Sequence, residues 1–472
     1  MLRSSLLVAL LLGSTGPVRA QGKPVSFIDD VAPIFREYCL ACHDSKKKSG
    51  KYDMTTFAKL LEGGATGEPI AAGKSAESEI YTLMVTGEER RMPPRKDNLS
   101  GVPKAKSDIV KRWIEEGAKL DTGIEVKADL IRELRVRWKA PASPVAYKYP
   151  TIINAMAFTP DGTRLVVGGH QELTVWTVAD AKLVKRIHTR AERAYAMAFL
   201  ADGKLAVAGG RPGQEGDLRI FDIDGSPGIP VGGVAMLDGI TDSKVMLRQL
   251  LDVDDSVLCL AVSNDGKRLA AGACDRLVRV WELGSWKLDQ TIENHADWVM
   301  ALAFSPDGKL LISGSRDKTA KVWDLTAKES LLTFPDHQNT VFGVAVKADG
   351  KAGYSVGADG QVRTWNATGD GKQIKVIGSH SGEALRLIAH PTKPILVSTG
   401  IDKTVKVWDS EKNVAGKVLA GLTDHVFAAT VSPDATMVAA GGYDGEVRIW
   451  KLADGSVLKA FNASPGYLPP KK

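Results

Sequence analysis

Two hydrophobic rhythms divide the chain. Phe27, Ile28, Val31, Ile34, Phe35 and Tyr38 recur at three- and four-residue steps, which places them on one face of a helix. Lys106 to Ala118 repeats that rhythm. There Ile109, Val110, Trp113 and Ile114 share a face, Ser107 stands where a cap is wanted, and Gly117 sits near the end. A Trp on such a face is expected in the core rather than at the edge of a cofactor. Between the two segments runs a stretch rich in Gly and Lys with weak periodicity. From about residue 149 the rhythm changes to short alternating strands joined by Asp-Gly turns, such as Asp161-Gly162, Asp265-Gly266 and Asp307-Gly308.

The strand-rich part repeats itself. The clearest copy runs from Phe304 to Asp324, and related copies end at Trp176, Phe221, Trp281, Trp323, Trp365, Trp408 and Trp450. The steps between them are 45, 60, 42, 42, 43 and 42 residues. A period of about 40–45 residues closing on a Trp-Asp-like dipeptide resembles the WD-repeat family, which builds four strands into each blade. Seven copies imply seven blades over residues 149–463. The resemblance implies a buried set of His, Ser, Asp and Trp. It is readable as His295, Ser313, Asp317 and Trp323, as His337, Ser355, Asp359 and Trp365, and as His380, Ser398, Asp402 and Trp408. The last copy keeps His425, Asp444 and Trp450 but has Ala440 in the Ser position. The first three copies lack the full set. A repeated slot makes these histidines structural rather than a metal site.

Two departures stand out. The long step puts about 18 extra residues within Asp224–Asp254, as a binding loop or a tolerated insertion. Arg211 to Gly216 reads as an expanded turn. Each copy carries its own four strands, so how the ring closes is not evident.

The ends and joints follow. Arg3, the apolar run Leu6–Leu12 and Val18-Arg19-Ala20 have the form of a cleaved export signal over residues 1–20, leaving Gln21 first. That run is shorter than the roughly 20 apolar residues of a membrane span, and no later segment is apolar enough to be one. The expected product is exported, periplasmic or otherwise extracytoplasmic, and soluble after cleavage. Residues 21–122 form a small helical domain, 123–148 a basic linker, and 464–472 a tail. Whether Leu130–Lys139 is helix, strand or docking arm stays open. The fold class is therefore multidomain: a small all-α domain followed by an all-β seven-bladed propeller. Net charge is +6, or +4 without Arg3 and Arg19, too small and dispersed to argue for nucleic acid. Four cysteines in 472 residues make no disulfide scaffold. Cys259 and Cys274 lie on adjacent strands as diagonal neighbours, expected as two buried thiols rather than a disulfide.

The chemistry concentrates in Cys39-Leu-Ala-Cys42-His43, the C-x-x-C-H pattern of covalent haem attachment. Two thiols on one helical turn reach the two vinyl groups of a porphyrin, and the adjacent imidazole supplies an axial nitrogen to the iron. A thioredoxin-like pair follows a strand, whereas an amphipathic helix precedes Cys39. Structural zinc wants four ligands, and no other Cys or His occurs before residue 148. A plain disulfide leaves His43 without a role. The domain's methionines are Met54, Met84 and Met92. Met92, in Arg90-Arg91-Met92-Pro93-Pro94, is favoured as the second axial ligand, because two prolines stiffen the chain there. Met84, among Ile80, Tyr81, Leu83 and Val85, reads as core. Lys46, Lys47 and Lys48 read as a solvated run rather than a steering patch for an acidic partner.

Val25 to Phe35, Cys39-Leu-Ala-Cys-His43, Arg91-Met-Pro-Pro94 and Ile109 to Ala118 together resemble the planctomycete-type cytochrome c domain, over about residues 24–120. That resemblance implies a class I-like fold, one haem c per chain, a loop methionine ligand and frequent fusion to WD repeats. Related domains often carry Gly-Asp-Pro where this chain has Ala72-Gly73-Lys74. His/Met ligation suits electron transfer. The expected function is an exported mono-haem cytochrome that passes electrons to a redox protein, with the propeller docking a protein partner. The alternatives are an interaction protein with a structural or redox- or gas-sensing haem, and a propeller-borne oxidoreductase. The repeats offer no nucleophile with a base, no carboxylate pair and no metal cluster, so a carrier and scaffold is favoured over an enzyme with its own substrate.

Overall fold

The computed structural model describes residues 23–45, 47–87, 90–94 and 100–468. The segment read as an export signal, Lys46 and residues 469–472 of the tail lie outside them. Contacts divide the chain into a unit ending at Lys139 and a second beginning at Ala140.

In the first unit, Phe27–Val31 forms a wide π-type turn. Its start is closed reciprocally: Asp29 N donates to Ser26 Oγ and Ser26 N to the Asp30 carboxylate, at 3.0 and 2.9 Å. Helix α1 (Ala32–Tyr38) follows, then α2 (Phe57–Glu62), α3 (Glu79–Val85), α4 (Lys104–Glu115) and α5 (Leu130–Arg137). The apolar rhythm of residues 27–35 is buried as expected. Phe27, Phe35, Phe57 and Trp113 pack as one aromatic cluster, and Trp113 Nε1 donates to Lys119 O at 2.9 Å. Two expectations for α4 change. The helix starts at Lys104, directly after Pro103, so Ser107 lies one turn inside and turns back on the Lys104 carbonyl. Ile109 falls off the buried face and is 37% exposed. The segment left open beyond residue 130 is helical. Asp129 caps α5, and Leu130 and Leu134 enter the same core as Phe27.

The second unit is almost wholly β. Among the described residues, 29 strands, numbered β1–β29 in chain order, form five four-stranded antiparallel sheets and one nine-stranded sheet. The four-stranded sheets are β10–β13 (257–293), β14–β17 (299–334), β18–β21 (341–379), β22–β25 (384–419) and β26–β29 (426–462), each with strands in sequence order. In the large sheet, β4 (Leu183–Phe199) serves two successive groups. Its first part pairs with β3 (His170–Thr177), and its end pairs with β5 (Leu205–Arg211). The arrangement matches a WD-repeat propeller. The first strands touch in cyclic order, β4 to β10, β14, β18, β22 and β26, then β1 (Met156–Phe158), then β4 again. The two ends of the unit meet through backbone and side-chain bonds. Tyr147 N donates to Pro465 O, Thr151 N to Ser464 Oγ and Ile153 N to Gly442 O, at 2.8 to 3.0 Å.

The long insertion is a hairpin, β7 (Ile229–Val231) with β8 (Val234–Asp238), followed by β9 (Met246–Val253), which pairs with β6 (Glu215–Phe221). Strand β8 runs parallel to β4, with Lys185 opposite Ala235 and His188 opposite Asp238. The extra residues thus widen the preceding group of strands. Asp224 anchors them: its carboxylate takes both Arg164 guanidinium nitrogens, at 2.9 and 2.7 Å, and the Lys185 ammonium. The supposed expanded turn is a tight one of Pro212, Gly213 and Gln214. Strands β5 and β6 extend to Arg211 and Glu215, a buried ion pair at 2.9 Å.

Candidate cofactor-attachment site

Helix α1 delivers the motif. Cys39 N still donates to Phe35 O at 2.8 Å, and one further turn closes as Cys42 N and His43 N both donate to Cys39 O at 3.1 Å. The two sulfurs and the imidazole therefore leave one hydrogen-bonded turn. The chain after it is pinned: Ser49 N donates to Cys42 O at 2.9 Å and Met54 N to His43 O at 2.8 Å. Both thiols are free. Burial, and next the neighbouring Cys42, push the Cys39 thiol up to about 12. A dithiol poised for exchange needs the opposite, a lowered pKa.

His43 is the unsettled group. Its Nδ1 is buried and has no hydrogen-bond partner. Leaving such an atom unpaired costs about 1–3 kcal/mol, which a metal bond or an acceptor on a bound group would relieve. The Tyr52 ring lies 5.3 Å from the imidazole, and its hydroxyl is fixed by donating to Leu60 O at 2.8 Å. Burial, with Cys39 adding, keeps that hydroxyl protonated far above its ordinary range. Two thiols and an imidazole with an orphaned nitrogen fit a thioether-bound haem.

The methionines separate. Met54 and Met84 are buried in the core, Met84 as expected. Met92 is 40% exposed, and its amide donates to Leu83 O at 2.9 Å. Of the lysine run, Lys47 Nζ lies 3.6 Å from Cys42 Sγ, and Lys48 Nζ lies 3.8 Å from the Asp53 carboxylate.

The repeat histidines are settled. His295, His337 and His380 each set one ring nitrogen against Ser313, Ser355 or Ser398 at 2.7 Å. The other nitrogen meets Asp317, Asp359 or Asp402 at 2.7, 3.2 and 2.9 Å. Trp323, Trp365 and Trp408 donate to the same serines at 2.9, 3.2 and 2.9 Å. In the last repeat, where Ala440 replaces the serine, Trp450 Nε1 is buried without a partner. The first repeat substitutes an ion pair, Arg186 on Glu172 at 2.7 Å, with Tyr147 donating to the same carboxylate. Cys259 sits opposite Gly272, two residues from Cys274, so the two thiols are diagonal and free. Cys259 is buried and Cys274 only partly so.

Sequence reasoning did not single out Tyr52, Asp224 or Arg386. Arg386 had a visible signal. The registers give it the slot held by Cys259, Ala301, Gly343 and Ala428 in other repeats, a position of small residues.

Comparison with known proteins agrees with this division. A family model described as planctomycete cytochrome C matches residues 39–96, and one described as the IFT122 first beta-propeller matches residues 240–466. Among curated proteins, a segment of 80 residues is 36% identical to the small ribosomal subunit protein RACK1 of Neurospora crassa, covering 17% of this chain and 25% of that protein. MST50-interacting protein 11 of Pyricularia oryzae is 35% identical over 80 residues, with the same coverage. RACK1y of Oryza sativa subsp. japonica is 35% identical over 86 residues, covering 18% and 26%. The chain spans about a quarter of the length of each of these relatives.

Proposed function

We propose that this chain is an exported mono-haem c-type cytochrome that transfers electrons, joined to a seven-bladed propeller that docks a protein partner. The observation that carries the reading is one hydrogen-bonded turn presenting two free thiols and a half-buried imidazole whose buried Nδ1 lacks a partner. Cys39 and Cys42 would hold the porphyrin by thioether bonds, and His43 would ligate the iron. When bound, the haem supplies a reversible one-electron couple. The chain's own residues orient and shield it. Tyr52 packs beside the imidazole and limits its rotation, and the bonds from Ser49 and Met54 hold the motif's carbonyls. Met92 is assigned as the second axial ligand, from a loop stiffened by Pro93 and Pro94.

The test is spectroscopic. Protein matured with a haem-attachment system should keep its pigment after denaturation and change spectrum reversibly with dithionite. Met92→Ala should remove the far-red methionine–iron absorption. A colourless product with both thiols open to alkylation sinks the reading. The exposure of Met92, 40%, favours a second reading, an interaction protein that senses redox state or a small gas. Ready carbon monoxide binding by the reduced parent would select it. Export is tested by the N-terminal residue of the mature chain, expected at Gln21.

A further inference from the structure

The first strands of the repeats surround an axial channel of about 140 Å³. Its wall is built mainly from small and apolar residues, including Met156, Met300, Ala301 and Phe342. Among the described residues, one cation enters it. Arg386 stands on β22 in the slot where neighbouring repeats carry Ala301, Gly343 and Ala428. From there its guanidinium crosses to three other parts of the ring. Nε donates to Phe427 O at 3.0 Å, and Nη2 donates to Asn154 O at 3.2 Å and Tyr195 O at 2.7 Å.

These acceptors are all backbone carbonyls, so no charge is neutralised. Among the described residues, no Asp, Glu or His lines the channel. Its titratable side chains besides Arg386 are Tyr195 and Cys259, and burial raises the pKa of both, so neither becomes an anion at neutral pH. An arginine does not shed its proton in a protein. Arg386 is half-buried in the channel wall, and a charge held there without a counter-ion is costly. These three bonds use the hydrogens on Nε and Nη2, which leaves the two on Nη1 for a ligand in the channel.

We propose that the axial channel binds a small organic carboxylate, recognised by the Nη1 hydrogens of Arg386 and enclosed by the methionine and phenylalanine wall. Arg–carboxylate pairing supplies the charge-assisted hydrogen bonds, and the apolar wall suits a carbon body better than a fully hydrated inorganic ion. The volume has room for several waters or one anion of that size. This site is independent of the haem.

Calorimetric titration of the full chain with acetate or succinate, against sodium chloride at equal ionic strength, tests it. Saturable binding at one site per chain is expected. Arg386→Gln should weaken it at least tenfold. Arg386 also ties the ring together, so that variant could fail to fold. Met300→Glu supplies a second test, because a carboxylate fixed in the channel should pair with the arginine, raise the melting temperature and abolish binding. Heats no larger than those of chloride, or unchanged binding in a folded Arg386→Gln or Met300→Glu protein, would overturn the proposal. So would inorganic phosphate binding more tightly than either carboxylate.

Discussion

Two sets of histidines in this molecule meet burial differently. In the repeats, His295, His337 and His380 are buried with both ring nitrogens engaged, one by a serine and one by an aspartate. In the helical unit, His43 has a buried Nδ1 with nothing to bond. The repeat solves the polar problem of burial from within the chain, and the Cys39–His43 turn does not. A satisfied buried imidazole is part of a frame. A half-buried one whose buried Nδ1 is unsatisfied, beside two free thiols, marks where a further group belongs.

The most drastic way to break this contrast is to remove the thiols. Cys39→Ser with Cys42→Ser should abolish all pigment that survives denaturation, while the β signal in circular dichroism and the propeller's melting stay as in the parent. Retained covalent haem would show that the turn is not the attachment point.

Next in size is a change that gives a repeat histidine the fate of His43. Ser398 Oγ meets both His380 and Trp408, so Ser398→Ala leaves two buried ring nitrogens unpaired. The expected loss is about 2–4 kcal/mol, read in urea unfolding of the propeller with the haem spectrum unaltered. A loss below about 0.5 kcal/mol would mean that water replaces the hydroxyl.

The amount legible in the sequence differs between the regions for the same reason. A repeat shows its slots several times over, so the three full His–Ser–Asp–Trp sets could be read residue by residue, and so could the missing serine at Ala440. Cys39, Cys42 and His43 were legible because their chemistry fixes their spacing. Pairings that join distant segments were not. Strand β8 reaches back to β4 of the preceding repeat, and nothing local in Val234–Asp238 announces a parallel partner. Tyr52 comes to His43 only through the turn that passes Lys48 and Lys51, both at positive φ. The start of α4 was misplaced because Ser107 has the chemistry of a cap, whereas Pro103 sets the boundary.

A smaller effect separates the regions by pH. Burial opposes ionisation of Asp53, but bonds from Lys59 and Thr55 outweigh it and hold the carboxyl at about 2. Its folded pKa lies below the unfolded value, so its stabilisation is present above about pH 4 and vanishes as pH falls through 2. Asp53→Asn should therefore destabilise the helical unit by about 1 kcal/mol at pH 7. The gap between parent and variant should close between pH 4 and 2, followed by fluorescence or haem absorbance. A gap independent of pH would assign the loss to packing.

The smallest effect runs in the stabilising direction. Trp323, Trp365 and Trp408 each donate to a serine ten residues earlier, and Trp450 finds Ala440 at that place, so its Nε1 is left buried and unpaired. Ala440→Ser adds one hydroxyl where three sister repeats carry it, on a strand paired in the same register. The new bond should contribute about 0.5–1.5 kcal/mol, less whatever the extra atom costs in a tightly packed slot. Equilibrium unfolding should show a higher midpoint with an unchanged slope. A lower midpoint would mean that the last repeat has repacked around alanine, and that an unpaired nitrogen in this protein can be tolerated without waiting for a partner. His43 would then be marked as a ligand by its neighbouring thiols rather than by its orphaned atom.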